Sequence, residues 1–272
     1  MSYDMDLTKN HDGKYLYKYY PFNQYSIQSL IHQEFWLGSP DMLNDPFEGD
    51  FIIKNVDKLF NKVNVDKLLK ITNEESWDVR FLNDNYIIDS KQDEYLFLNK
   101  MYEYLNNEIK RKFGTTSFSK YCNSLKMWSH YADSHKGFII IYNKEIIENT
   151  ITNKKIRLIK VEYGNHPTIE ISIVPNGFII TNDDLILTSK LKEWKSEKEY
   201  RLIMNMNYGY KRNRLVKYDN DAISGVIYGS NMTHQNLRTI DAILIEKIKN
   251  LPIYFAKKNP KRDNLIFKPF LH

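Results

Sequence analysis

The stretch Met127–Tyr142, MWSHYADSHKGFIIIY, decides how this chain is read. Its first ten residues mix a Trp, two His, a Tyr, an Asp and two Ser; a Gly follows, then an unbroken apolar run. Gly137 can stop a helix, and Phe138–Tyr142 is short and apolar on both faces, as a buried strand is. The spacing predicts a helix over 124–136 with Leu125, Trp128 and Ala132 turned to the core. Met127, His130, Tyr131 and Ser134 share the adjoining face. Polar groups gathered where a helix feeds a core strand are either packing residues with local hydrogen bonds or the lining of a site.

Outward from that point, the two halves of the chain differ. Towards the N-terminus, residues 1–13 are polar and read as a flexible segment. A strand is expected at 15–20. Asn23 caps a helix with Ile27, Leu30 and Ile31 on one stripe, and Phe35–Leu37 is a short strand closed by Ser39-Pro40. Residues 56–70 and 92–112 read as helices. Towards the C-terminus, strands are expected at 115–119, 156–163, 169–174, 177–180, 199–206, 214–218 and 223–228. A helix over 234–249 follows a Thr233 cap, and two short strands close the chain. The fold class expected is α+β: a helical N-terminal half packed on a mostly antiparallel, strand-rich C-terminal half, forming a single domain over 14–272.

Composition bounds the class. The chain has 272 residues, 42% of them hydrophobic and 14% aromatic, enough for a full core. The net charge of +5 permits an anionic ligand without requiring one. One cysteine, Cys122, leaves no internal disulfide and fits a reducing, cytoplasmic setting. No apolar run of about 18 residues is present, so no membrane partner is expected.

Three further segments bear on chemistry. WKSEKEYR, Trp194–Arg201, sets Glu197 and Glu199 two apart at the mouth of an expected strand, where extended geometry would turn both the same way. Two such carboxylates can divide acid–base and cation-stabilising work. The alternative is a charged, solvated segment with Lys192, Glu193, Lys195, Lys198 and Arg201. TTSFS, Thr115–Ser119, puts Ser117 and Ser119 on one side of a strand. NDPFEGD, Asn44–Asp50, offers Asp45, Glu48 and Asp50 but lacks the ligand order of a calcium loop, so an acidic turn is the better reading. Cys122, His130 and His135 match no zinc spacing, and no metal is expected.

Taken in order, LYKYYPFN at 16–23, FWLGSPDMLNDPFEGD at 35–50, MWSHYADSHKGF at 127–138 and WKSEKEYR at 194–201 resemble an uncharacterised bacterial family. That family is sometimes found near phage-defence and abortive-infection genes. The same order resembles, remotely, the ADP-ribosyltransferases, in which a first strand bears His, Arg or Tyr, a hydroxyl-rich strand follows, and a loop of the form aromatic-x-x-Glu-x-Glu ends the series. Trp194-x-x-Glu197-x-Glu199 matches that last form, and Ser117-x-Ser119 stands for the hydroxyl strand. Members of the uncharacterised family tend to carry Arg where this chain has Tyr20, so Lys18, Tyr19 or Tyr20 would serve for the first motif.

The resemblance implies an NAD-consuming ADP-ribosyltransferase or NAD glycohydrolase, a phage-defence or toxin-type effector. Glu199 would stabilise the oxocarbenium-like state through the ribose 2′-hydroxyl, and Glu197 would polarise an acceptor or a water. Tyr131 or Trp194 would stack on nicotinamide, and His130 or Lys18 would hold the diphosphate. The partner would be a protein or nucleic-acid acceptor, or a phage-derived trigger. Two other readings stand beside it. One is a non-catalytic module that senses a nucleotide or phage protein; the other is a nuclease built from His130, His135 and the acidic loop.

Overall fold

Phe138–Tyr142 is apolar on both faces because it lies inside a sheet covered on both sides. Phe138, Ile140 and Tyr142 enter one core, and Ile139 and Ile141 enter another. The structure is a computed structural model that describes residues 7, 13–43, 45, 47–54, 81–82, 85–86, 99, 102–107, 113–151, 156–174, 177–181, 183–206, 214–248 and 250–269. The strands are β1 (Tyr15–Tyr20), β2 (Glu34–Trp36), β3 (Ile52–Ile53), β4 (Phe81–Leu82), β5 (Asn85–Tyr86), β6 (Phe113–Ser119), β7 (Phe138–Asn143), β8 (Ile156–Lys160), β9 (Glu162–Gly164), β10 (Thr168–Val174), β11 (Gly177–Thr181), β12 (Ser189–Leu191), β13 (Glu199–Asn205), β14 (Leu215–Lys217), β15 (Ile223–Tyr228), β16 (Ile253–Lys258) and β17 (Leu265–Pro269). The helices are α1 (Gln24–His32), α2 (Leu125–Tyr131), α3 (Lys144–Ile151), α4 (Asp183–Thr188) and α5 (His234–Lys247). Residues 102–107 are also helical.

The fold is α+β, with a large, mostly antiparallel sheet. The chain divides into two compact units. One comprises Met1–Gly38, Gly114–Val161 and Glu193–His272; the other comprises Ser39–Phe113 and Glu162–Lys192. The first unit holds an eight-stranded sheet in the order β17-β16-β15-β7-β1-β6-β13-β8. Strand β1, from the half expected to be helical, lies inside this sheet. Its Leu16 and Tyr20 enter one core, and Tyr17 and Tyr19 enter the other. β15 and β16 run parallel, joined through α5, whose Leu237, Ile240 and Leu244 cover the first core. The second unit pairs β10 with β11 and β3, and β9 with β12.

Several expectations need correction. The strand expected over 156–163 is two strands. β8 ends at Lys160, and the Val161 N–H donates to the Glu199 carbonyl (3.0 Å). The helix expected over 124–136 stops at Tyr131. Leu125 is 44% exposed, not core. At about 100° per residue, Leu125 lies about 60° from Trp128 on the side away from Met127. Leu125 is only about 20° from the direction of buried Ala132, so its exposure comes from its place as the first residue of the helix and not from its angle. The helix expected at 56–70, most of residues 1–13 and most of the helix at 92–112 lie outside the described residues. No helix among the described residues is long and apolar enough to cross a membrane.

Candidate functional site

The carboxylates of WKSEKEYR do not share one side. Residues Lys192–Glu197 form a 3-10 turn, and Lys198 is left-handed (φ 49°) before β13 begins at Glu199. Glu197 is therefore not in extended geometry, and the i, i+2 rule used on the sequence does not apply to it. The turn is pinned by its neighbours. Ser119 Oγ donates to the Glu197 carbonyl (2.7 Å), and the Lys120 N–H donates to the Lys198 carbonyl (2.9 Å). Ser119, at the end of the hydroxyl strand, thus holds the Glu-bearing loop in place.

Each carboxylate then has its own partner. The Tyr131 hydroxyl donates to Glu197 Oε1 (2.7 Å), joining segments 66 residues apart. Glu199 accepts two bonds from Arg201: Nε to Oε1 at 2.7 Å and Nη2 to Oε2 at 3.1 Å. Arg201 is 1% exposed, so it belongs to a buried, bidentate ion pair and not to a solvated charge run. The reason is the strand period: Glu199 and Arg201 lie on the face opposite Leu202, which is in the core.

A cleft of about 200 Å³ opens between α2 and the 3-10 turn. Lys126 and His130 line it from α2; Glu193, Trp194, Ser196 and Glu197 line it from the turn. His130 is exposed, Trp194 and Tyr131 are half-buried, and Glu197 is buried. Tyr131 touches the cleft through its bond to Glu197. Sequence alone does not single out Lys126, although its spacing of four from His130 is visible there, and it places Glu193 only in the charged, solvated alternative.

Lys18 stands in a different place. β1 and β6 are joined by a single register pair, Tyr17↔Ser119. Beside that pair the Lys18 ammonium donates to Thr116 Oγ1 (2.7 Å) and to the Ser117 carbonyl (3.0 Å). It also lies 5.2 Å from the centre of the Phe118 ring. Desolvation lowers its pKa to about 8, against the attraction of Glu199, which raises it. Ser117 thus meets Lys18 through its backbone, and Thr116 supplies the hydroxyl.

The two tyrosines named for the first motif are buried. Tyr19 donates to the Tyr121 carbonyl (3.0 Å) and meets Trp128 edge-on at 5.5 Å. Tyr20 stacks on Phe138 at 5.3 Å, and its hydroxyl pairs with that of Tyr142 (3.2 Å). Burial pushes the Tyr20 hydroxyl up to about 12.

The second half of the central motif is a turn. Asp133, Ser134 and His135 are all left-handed (φ 45°, 52° and 67°), a costly run for residues with a Cβ. Close backbone packing maintains it. A Cβ on Gly137 would lie 2.1 Å from the Tyr20 carbonyl, and one on Gly229 would lie 2.1 Å from the His135 carbonyl. The His135 ring stacks on Trp128 (5.9 Å, 7°), and its Nδ1 is buried without a hydrogen-bond partner. Desolvation lowers the His135 pKa. Trp128 itself is fully buried, its indole N–H donating to the Cys122 carbonyl (2.7 Å).

Cys122 is buried and its thiol is pushed up to about 12, which suppresses the thiolate needed for nucleophilic chemistry. In the second unit, Asp45 Oδ1 accepts from the Phe47 N–H (3.0 Å), Tyr102 donates to Asp50 (2.6 Å), and Glu48 faces Lys190 (3.9 Å). These carboxylates serve the turn and its supports. No cluster of three or more His, Cys, Asp or Glu among the described residues could hold a metal ion.

Residues 127–202 match the model of a family described as a protein of unknown function (DUF2971). The matched span opens on the first residue of the central motif and runs one residue past Arg201. It takes in both Tyr131 and Glu197. No curated protein and no solved structure matches the chain.

Proposed function

We propose that this chain is an NAD-consuming enzyme, an ADP-ribosyltransferase or NAD glycohydrolase, with Glu197 as its catalytic carboxylate. The observation that carries the reading is the Tyr131–Glu197 bond at a cleft lined by Trp194 and His130. A buried carboxylate fixed by a tyrosine and facing a cleft suits the stabilisation of an oxocarbenium-like sugar. The order of strands adds support: β1 with Lys18, β6 with its hydroxyls and β13 with Glu199 are successive neighbours in the sheet.

The nicotinamide–ribose bond breaks with its electron pair leaving on the nicotinamide nitrogen. Glu197 stabilises the cation left on the sugar. Water or an acceptor hydroxyl then adds to the ribose carbon and gives up its proton to a carboxylate. The weight moves from Glu199 to Glu197 because Glu199 is bound to Arg201, where it serves as a positioning residue at the mouth of β13. His130, on the cleft wall, is the donor available to the diphosphate.

One observation favours a second reading. Both carboxylates already hold partners, as they would in a module that binds a nucleotide without cleaving it. Nicotinamide release from NAD by the purified chain, with and without cell extract as acceptor, separates the two. Release that Glu197→Gln lowers by about a hundredfold or more supports the enzyme. No release under any condition, with NAD still bound, supports the sensor.

A further inference from the structure

The walls of the cleft carry opposite charge. Lys126 and His130 are four apart on α2 and lie on one helix face. Across from them, the 3-10 turn repeats every three residues, so Glu193 stands with Ser196 and Trp194 with Glu197. One wall therefore offers an ammonium and an imidazole. The other offers two carboxylates and an indole face.

We infer that the cleft takes a mononucleotide whose base is a planar cation, the nicotinamide mononucleotide half of a dinucleotide. In this arrangement Lys126 holds the phosphate, and Glu193 and Trp194 hold the ring. This rests on the reading of the cleft as an NAD-handling site and adds Lys126 and Glu193 to it. Size argues for half a ligand. At about 200 Å³ the cleft is below the ~300–1,000 Å³ of pockets that enclose a drug-sized molecule, so it cannot hold a dinucleotide and covers a mononucleotide only in part, with ring and phosphate against its two walls. A phosphate is drawn to the Lys126 ammonium, and a pyridinium is drawn to a carboxylate and to an indole face. A neutral base gains only the stacking.

The test is calorimetric titration of the full chain with nicotinamide mononucleotide and with AMP, which share the phosphate and differ in base charge. Wild type should bind nicotinamide mononucleotide roughly tenfold more tightly than AMP. Lys126→Gln should weaken both by a similar factor, and Glu193→Gln should reduce the preference several-fold while leaving AMP unchanged. Both side chains are exposed, so neither variant threatens the fold. Equal affinity for the two ligands in wild type, binding of neither at millimolar concentration, or indifference to Lys126→Gln would each overturn the inference. Binding with the expected preference but no nicotinamide release would leave it standing and remove only the enzymatic reading.

Discussion

Replacing Glu199 by Gln should destabilise the protein by about 3 kcal/mol, before any question of activity arises. The carboxylate and the Arg201 guanidinium meet at 2.7 and 3.1 Å, and both side chains are almost fully buried. Removing one member of such a pair costs roughly 3–5 kcal/mol, because the remaining charge stays in a poorly solvating environment. Gln keeps one oxygen that can accept from Nε, which places the loss at the lower end. For a chain of this size that is a fall in Tm of roughly 6–12 °C. Urea unfolding followed by far-ultraviolet circular dichroism and by tryptophan fluorescence reads it directly. A double variant, Glu199→Leu with Arg201→Met, removes both charges and should recover much of the loss, giving a coupling of at least about 2 kcal/mol. A Glu199→Gln protein within about 0.5 kcal/mol of wild type would refute the reasoning, since that is the range of an exposed substitution. So would a double variant as unstable as the sum of Glu199→Leu and Arg201→Met measured singly.

Trp128→Ala should cost about 3–5 kcal/mol, as large truncations in a full core do, and should expose His135, which stacks on the indole; chemical unfolding measures the first and histidine chemical shifts the second. Lys18 should make stability rise with pH. The folded state gives up this proton near pH 8 and the unfolded state holds it to about 10.5, so between those values the unfolded chain binds more protons. The gain from pH 8 to pH 9 is about 1 kcal/mol. Above pH 9 the Cys122 thiol works the other way, because its proton is kept in the fold and lost on unfolding. Lys18→Met should flatten the rise between pH 8 and 9 in urea titrations, and an unchanged slope would show that Lys18 is not desolvated.

The cores were legible because their residues repeat. Phe138–Tyr142 has no charged residue and is short, and a strand covered on both faces can use such a run. The Thr233 cap with Leu237, Ile240 and Leu244 marked the α5 stripe directly. What the sequence hid was neighbourhood. β1 lies between β7 and β6, strands more than 90 residues away in the chain, and its alternation of Leu16, Tyr17, Tyr19 and Tyr20 is nearly all aromatic and apolar on both faces. That pattern says the strand is buried but not what buries it. Leu125 failed for a smaller reason. A stripe gives a direction around the helix but not how far along it the core extends, and Leu125 is the first residue of the helix.

The site was legible in composition and illegible in direction. Glu197, Glu199 and Tyr131 were all visible as chemistry-bearing residues. Their pairing depends on one backbone angle, the left-handed Lys198, which a sequence without a Gly or Asn at that position does not announce. That single residue turns Glu197 towards α2 and leaves Glu199 to β13, so that two carboxylates two residues apart meet different partners. The same holds for the central motif. Its polar density divides at Ala132: His130 and Tyr131 face the cleft side of α2, while Ser134 and His135 build the turn that seats Gly137 against β1 and Gly229 against the His135 carbonyl. One half of the segment lies at the candidate cleft and the other half forms a backbone turn. A functional defect in a His135 variant would therefore report the turn and Trp128, whereas substitutions at the residues that line the cleft, and at Tyr131 through its bond to Glu197, bear on the cleft itself.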